Sequence, residues 1–171
     1  DCCMAWHPEP RNLRIRENVQ NSIAHMVVEF FGKSAHASSA PEQGRSALDA
    51  CELMNIGVNY LREHMDTTSR IHYSYLSAGD KPNIVPRYAA VYYYVRAQNL
   101  KADYELVERV KKCAAGAAMM TETDYKITIE SMAPGCVQIS GFNQFFYDSM
   151  QKLPPLTYTP EEMEFATDLF R

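Results

Sequence analysis

Apolar and polar residues alternate along four segments of the chain, 21–33, 70–77, 87–97 and 123–132. Val, Ile, Tyr and Phe are frequent in these segments, and alternation with such residues is typical of strands that bury one face. Two other segments, 45–65 and 101–120, carry apolar residues at the spacing of a helix. The pattern predicts the element order β-α-β-β-α-β over residues 21–133.

This order is that of the split βαβ, or ferredoxin-like, arrangement in the α+β class. We expect a four-stranded antiparallel sheet with both helices on one face. Residues 134–171 do not continue this pattern, because Pro134 and Gly135 end the last strand. Two further helices are predicted there, over 142–153 and 159–170, and Thr159 followed by Pro160 is a helix-start signal.

The two helices of the predicted sheet domain differ in the number of apolar faces. The second has one stripe, formed by Tyr104, Val107, Val110, Ala114 and Ala117 or Ala118. The first has a stripe of Ala47, Ala50, Met54, Val58, Leu61 and Met65, and a second apolar line of Leu53, Ile56 and Tyr60. Such a helix is either core on both sides or shared with a partner, and in a domain of this size we favour a partner.

The composition argues against several classes of binding partner. The net charge is −4 and no cluster of Lys or Arg occurs, which argues against a nucleic-acid or anionic-membrane surface. No apolar run approaches the roughly 20 residues that span a bilayer, and no signal peptide is recognisable. The five cysteines form no Cys-x-x-Cys pair, which favours a reduced, cytoplasmic protein.

The chemistry-bearing stretch is residues 31–50, FGKSAHASSAPEQGRSALDA. Its small side chains let the backbone lie close to a ligand or a second subunit, and Pro41 delays the start of the following helix. The stretch contains one histidine, His36. A lone histidine in such a loop is ordinarily a surface residue.

Several blocks of the chain occur in a recognisable order: Trp6-His7-Pro8; Gly32-Lys33 and His36-Ala37; Pro41; Gly44 to Ala50; Pro82 to Pro86 with Arg96 following; and Ala114 to Thr123. In these blocks the sequence resembles the lid, or dimerisation, domain of the M20 metallopeptidases and amidohydrolases. The resemblance extends over nearly the whole chain. It implies a lid domain over 21–133, with residues 1–20 and 134–171 as parts of a flanking catalytic domain.

The resemblance also implies an activity. It points to the lid portion of a metal-dependent amidohydrolase that cleaves the amide bond of an N-acyl or aminobenzoyl amino acid, such as a p-aminobenzoyl-glutamate-like substrate. The full-length enzyme would bind a divalent metal, Zn²⁺ or Mn²⁺, and form a homodimer or a heterodimer with a related subunit. Most of the family's metal ligands lie outside this span, so the chain alone is expected to be inactive.

Four residues take site roles by the same resemblance. His36 would reach the partner's active site and donate a hydrogen bond to the developing oxyanion, which can lower a barrier by roughly 3–4 kcal/mol. Asn83 and Arg96 would hold the substrate carboxylate or the tetrahedral oxygen, since the Arg fork binds both carboxylate oxygens. His7 would be a metal ligand. Taken from the residues alone, Asn83 is also explained by turn chemistry, Arg96 by packing over a tyrosine, and His7 by solvent exposure.

Two other functions compete with this interpretation. A non-catalytic dimerisation module would use the two-faced first helix and an open edge on the second strand. An RNA-binding ferredoxin-like domain would use the tyrosines of the third strand as a stacking platform. The acidic net charge and the absence of a Gly-aromatic-Gly core count against RNA binding.

Overall fold

A computed structural model describes residues 21–136 and 139–170. The described residues divide into two compact units, one formed by residues 21–136 and the other by residues 139–170. The first unit contains, in chain order, β1 (Ser22–Phe31), α1 (Ala47–Leu61), β2 (Arg70–Ser77), β3 (Tyr88–Ala97), α2 (Leu100–Thr121) and β4 (Asp124–Ala133). The predicted order β-α-β-β-α-β is confirmed.

The four strands form one antiparallel sheet in the order β2-β3-β1-β4. Burial alternates along the central strands: Ala24, Met26, Val28 and Phe30 of β1 are fully buried, and the residues between them are half-buried. The buried residues pack with those of α1 and α2 in a single core. Both helices therefore cover the same face, and the ferredoxin-like α+β fold is confirmed. No helix of residues 21–136 lies on the other face, which we call the helix-free face.

The helices begin at polar caps. The Ser46 hydroxyl accepts a hydrogen bond from the Asp49 N–H at the start of α1, and the Asn99 side chain accepts one from the Ala102 N–H at the start of α2. These bonds satisfy donors that the first turn leaves unpaired. At its far end α2 is followed by Glu122 in the left-handed conformation (φ 53°), which turns the chain into β4.

The outer apolar line of α1 is not core. Ile56 is 51% exposed and Tyr60 is 75% exposed, whereas Leu53 packs partly against the core. Of the two explanations for a two-faced helix, core on both sides is therefore excluded for Ile56 and Tyr60. This line is available to a partner.

The predicted stripe of α2 was wrong at one position. Tyr104 is 60% exposed, while its neighbour Asp103 is fully buried together with Leu106, Val107 and Val110. With 3.6 residues per turn, positions 103, 106, 107 and 110 lie on one side of the helix. Because position 103 is a charged residue, the apolar pattern did not identify it as part of the buried face.

Two buried polar groups interrupt the core. The Asn55 side chain accepts a hydrogen bond from the Tyr93 hydroxyl and donates one to the Tyr75 hydroxyl, so the α1 helix is tied to β2 and β3. The Asp103 carboxylate has no hydrogen-bond partner among the described residues. Burial raises the pKa of Asp103 to about 6. The nearby Ser22 hydroxyl and the Arg96 charge lower this pKa by smaller amounts, since the Ser22 hydroxyl donates its hydrogen bond to the Ala97 carbonyl (3.0 Å) instead.

The described part of the second unit contains two helices, α3 (Ser140–Met150) and α4 (Pro160–Leu169). Helix α4 begins with a capping box, in which Thr159 and Glu162 exchange side-chain to backbone hydrogen bonds. The predicted helix-start signal is confirmed. Within residues 21–136 and 139–170, no helix has the length and hydrophobicity needed to cross a lipid bilayer.

Candidate functional site

Two loops at one end of the sheet are joined into a short ribbon, which we call the His36 ribbon: residues 32–37 paired with residues 83–87. Three backbone hydrogen bonds join the strands of the ribbon, from Gly32 N–H to the Arg87 carbonyl (2.8 Å), from Val85 N–H to the Ala35 carbonyl (2.9 Å) and from Ala37 N–H to the Asn83 carbonyl (3.0 Å). These bonds fix the conformation of residues 32–37, which the sequence pattern does not predict.

The first loop also folds back on itself. Lys33 and Arg45 exchange backbone hydrogen bonds of 2.8 and 2.9 Å, and the Arg45 side chain forms an ion pair of 2.8 Å with Glu122. Gly32 makes this closure possible, because a Cβ atom there would lie 2.0 Å from the Arg45 carbonyl oxygen. The glycine of the Gly-Lys block is therefore required by close backbone approach.

His36 lies exposed in the ribbon, paired in a bridge with Ile84. Its Nδ1 accepts hydrogen bonds from the backbone N–H groups of Ser38 (3.3 Å) and Ser39 (3.2 Å). An Nδ1 atom that accepts carries no proton, so a neutral ring carries its proton on Nε2. The loop thus orients the ring and leaves an Nε2–H donor on its outer edge.

Asn83 lies in the other half of the ribbon. Its carbonyl receives the Ala37 N–H, next to His36, and its side chain is exposed. The structure therefore brings His36 and Asn83 together at one end of the sheet. The turn explanation accounts for the Asn83 backbone but leaves its side-chain amide available.

Arg96 lies at the opposite end of the sheet. It is eight residues further along β3 than Tyr88, and Tyr88 is the register partner of Phe31, which leads into the His36 ribbon. At about 3.3 Å per residue, Arg96 is about 26 Å from that end. The structure does not bring Arg96 to His36 and Asn83 within one chain.

A second arginine lies beside Arg96 in the sheet. Arg96 is half-buried on the helix-free face, directly opposite Arg70 of β2. The Arg70 guanidinium donates to the carbonyls of Thr67 and Ser69, at 2.6 Å each. Within residues 21–136, the Arg96 guanidinium has no hydrogen bond or ion pair. It acts on Asp103 only at longer range, where it lowers the pKa of that carboxyl against the dominant effect of burial.

A metal centre does not fit the described residues. Among 21–136 and 139–170, no group of three or more His, Cys, Asp or Glu side chains could hold a metal ion. His7, the predicted metal ligand, lies outside the described residues.

Sequence reasoning missed a cluster of rings on the helix-free face, next to Arg96. The rings of His25 and Tyr94 are stacked, with centroids 4.1 Å apart and planes within 5°, and Tyr92 meets Tyr94 edge-on at 5.1 Å. His25 and Tyr94 are register partners on neighbouring strands. Alternation along β3 predicts that Tyr92 and Tyr94 share a face. Their contact with His25 depends on the register of β1 against β3, which the sequence pattern does not give.

Comparison with known proteins places this geometry in a family. Residues 18–119 match the family model described as the peptidase dimerisation domain of the M20 type. The chain is 33% identical over 174 residues to a subunit of the p-aminobenzoyl-glutamate hydrolase of Escherichia coli, covering 99% of this chain and 35% of that protein. It is also 33% identical to the Xaa-Arg dipeptidase of Mus musculus, over 77% of this chain and 30% of that protein.

A solved structure agrees in fold. The aminobenzoyl-glutamate utilization protein from Klebsiella pneumoniae superimposes with a TM-score of 0.65 at 23% identity, over 81% of this chain and 35% of that one. The chain spans about a third of the length of the relatives it matches. The match to the family model and the identity over nearly the whole chain show that the chain belongs to the M20 peptidase dimerisation domain family.

Proposed function

We propose that this chain is the lid and dimerisation portion of an amidohydrolase that cleaves the amide bond of an N-acyl or aminobenzoyl amino acid. The observation that carries the proposal is the orientation of His36: two backbone N–H groups occupy its Nδ1 and leave Nε2–H as an outward donor. The names of the relatives, which include p-aminobenzoyl-glutamate hydrolase, support an aminobenzoyl-glutamate-like substrate.

In this proposal His36 stabilises the transition state and does not take part in proton transfer. Its Nε2–H donates to the amide oxygen as negative charge develops there. The Asn83 amide, carried by the same ribbon, binds the same oxygen or the adjacent substrate carboxylate. Arg96 binds a substrate carboxylate through its fork of donors.

The 26 Å between the two ends of the sheet decides how these residues combine. A small substrate cannot reach from His36 to Arg96 of one chain. The proposal therefore joins the His36 ribbon of one subunit with Arg96 of its partner, so that each active site is built from two chains. Residues contributed by both chains make dimerisation a requirement for turnover.

The surface for this dimer is the exposed line of α1 together with β2, which lies at one edge of the sheet. Unpaired backbone groups on an edge strand favour pairing with another strand. Two different subunits of p-aminobenzoyl-glutamate hydrolase occur among the relatives, which supports either a homodimer or a heterodimer with a related chain.

The remaining parts of the proposal concern the full-length enzyme. A divalent metal, Zn²⁺ or Mn²⁺, would be bound by residues other than those described, with His7 as this chain's proposed contribution. The chain by itself is expected to hydrolyse no amide. A cytoplasmic location is supported by the Cys51 and Cys113 thiols, which form no disulfide.

Subunit complementation in the complete enzyme tests the proposal. His36→Ala and Arg96→Ala are each expected to lower kcat/KM strongly, and mixing equal amounts under conditions of subunit exchange is expected to restore about a quarter of the wild-type sites. The reason is that a mixed dimer has one site with both residues intact. Mixing His36→Ala with Asn83→Ala is the matched control, and it should restore nothing, because both residues belong to one ribbon. No restoration in the first mixture would overturn the proposal.

A further inference from the structure

We propose that His25, Tyr92 and Tyr94, with Arg96 beside them, form a subsite that selects an aromatic acyl group joined through an amide to a carboxylate. We call these four residues the ring subsite. The inference rests on the proposed function and deepens it, because it names the residues that would distinguish an aromatic acyl group from an aliphatic one. It assigns a role to the helix-free face of the sheet.

The first observation is that the rings are fixed relative to one another. His25 stacks on Tyr94 at 4.1 Å, and Tyr92 meets both rings edge-on, at 5.1 Å from Tyr94 and 6.2 Å from His25. Their strands are paired in register, and all three side chains remain half-buried on a face without a helix of this unit. A preformed set of ring edges and faces binds a further aromatic ring at low entropic cost.

The second observation concerns charge. Arg96 and Arg70 lie directly opposite each other, an arrangement that destabilises a sheet unless an anion offsets it. The Arg70 guanidinium is engaged with the Thr67 and Ser69 carbonyls. Within residues 21–136, the Arg96 guanidinium makes no such hydrogen bond, and its fork of donors matches the two oxygens of a carboxylate.

The third observation is spacing. Tyr94 and Arg96 are two residues apart on one face, about 6.6 Å along the strand. In an N-aroyl amino acid, the ring centre and the carboxylate carbon are separated by an amide and one carbon, about 6–7 Å when extended. One such molecule fits a ring at Tyr94 and a carboxylate at Arg96.

Glu130 does not oppose this assignment. The nearby Glu130 carboxylate raises the pKa of the Tyr92 hydroxyl above its usual value. Tyr92 is four residues from Arg96, about 13 Å along β3. Glu130 lies at the bulge of β4 opposite His25 and Met26, so its charge is beside His25 and two strands away from Arg96.

The test is binding to this chain, followed by the NMR signals of the His25 and tyrosine rings. N-benzoylglycine is compared with N-acetylglycine, which keeps the carboxylate and lacks the ring. We expect N-benzoylglycine to bind about tenfold more tightly. Tyr94→Leu should remove this difference, Arg96→Gln should weaken both ligands, and Tyr104→Leu, an exposed tyrosine on α2, should change neither.

The outcomes separate this inference from the proposed function. Equal binding of the two ligands to the wild-type chain would overturn the ring subsite and leave the carboxylate role of Arg96 intact. Absence of ring-signal shifts with N-benzoylglycine up to about 20 mM, well above the millimolar range expected for a small ligand, would also overturn it. Neither result depends on the folding of a variant, and subunit complementation tests the proposed function independently.

Discussion

Asp103 is predicted to destabilise the fold at neutral pH, so replacing it by Asn should raise the free energy of unfolding. The carboxylate is fully buried and, among the described residues, has no hydrogen-bond partner. Burial raises its pKa from 3.8 to about 6. Each unit of difference is worth about 1.4 kcal/mol, so the ionised carboxylate costs about 3 kcal/mol at pH 8.

The sign of the pH dependence follows from the raised pKa. Between about pH 4 and pH 6 the folded chain holds the Asp103 proton and the unfolded chain has lost it, so the contribution of Asp103 to stability falls as pH rises. Above about pH 6 both states are ionised and the cost is constant. Asp103→Asn should therefore be more stable than the wild type by about 2–3 kcal/mol at pH 8, and nearly equal to it at pH 4.

Urea unfolding at both pH values measures the effect. The difference between the variant and the wild type isolates Asp103, because the other titrating groups are common to both proteins. Asp80→Asn, in an exposed loop, is the matched control and should change stability little at either pH. A variant that is less stable than the wild type at pH 8 would refute the reasoning, since it would mean that the ionised carboxylate is stabilised by its surroundings.

Three further changes act on the core, the His36 ribbon and the dimer surface. Tyr93→Phe leaves the buried Asn55 side-chain oxygen without its donor and should cost about 1–3 kcal/mol in urea unfolding. Gly32→Ala puts a Cβ atom 2.0 Å from the Arg45 carbonyl oxygen, so amide hydrogen exchange in the ribbon should accelerate. Ile56→Asp puts a charge on the exposed line of α1 and should shift the chain from dimer to monomer in sedimentation equilibrium.

Each of these changes has a control. Tyr104→Phe removes a hydroxyl from an exposed tyrosine and should leave stability unchanged. Gly116→Ala adds a methyl group where no atom lies within 4 Å, so it should leave exchange in the ribbon unchanged. A wild-type chain that is monomeric at high concentration would contradict the role of Ile56, and unchanged exchange after Gly32→Ala would contradict the close approach.

The fold could be predicted from the sequence because its strands and helices each show their own periodicity of apolar residues. Alternation identified β2 over Arg70–Ser77, and helical spacing located α1 and α2 to within a few residues. The stripe of α2 failed at Tyr104 because a buried charged residue, Asp103, broke the apolar pattern that marks a core face. The local pattern of apolar residues does not reveal that a charged residue is buried.

The site was less predictable because it depends on contacts between distant segments. His36 and Asn83 meet through backbone hydrogen bonds between two loops, and neither loop has a periodic pattern. The stack of His25 on Tyr94 requires the register of β1 against β3, which alternation constrains to one face without fixing the partner. Family resemblance identified His36, Asn83 and Arg96 as candidates but gave no distance between them.

Because about 26 Å separates the His36 and Arg96 ends of one sheet, the proposed catalysis requires a dimer, and dimers usually have twofold symmetry. If two β2 edges pair antiparallel about a twofold axis, the His36 end of one sheet lies level with the Arg96 end of the other. Ile56 lies in neither group of proposed site residues. Ile56→Asp should nevertheless abolish turnover in the complete enzyme, because a monomer cannot combine His36 with Arg96. Retained turnover in a proven monomer would show that both residues do not serve one substrate.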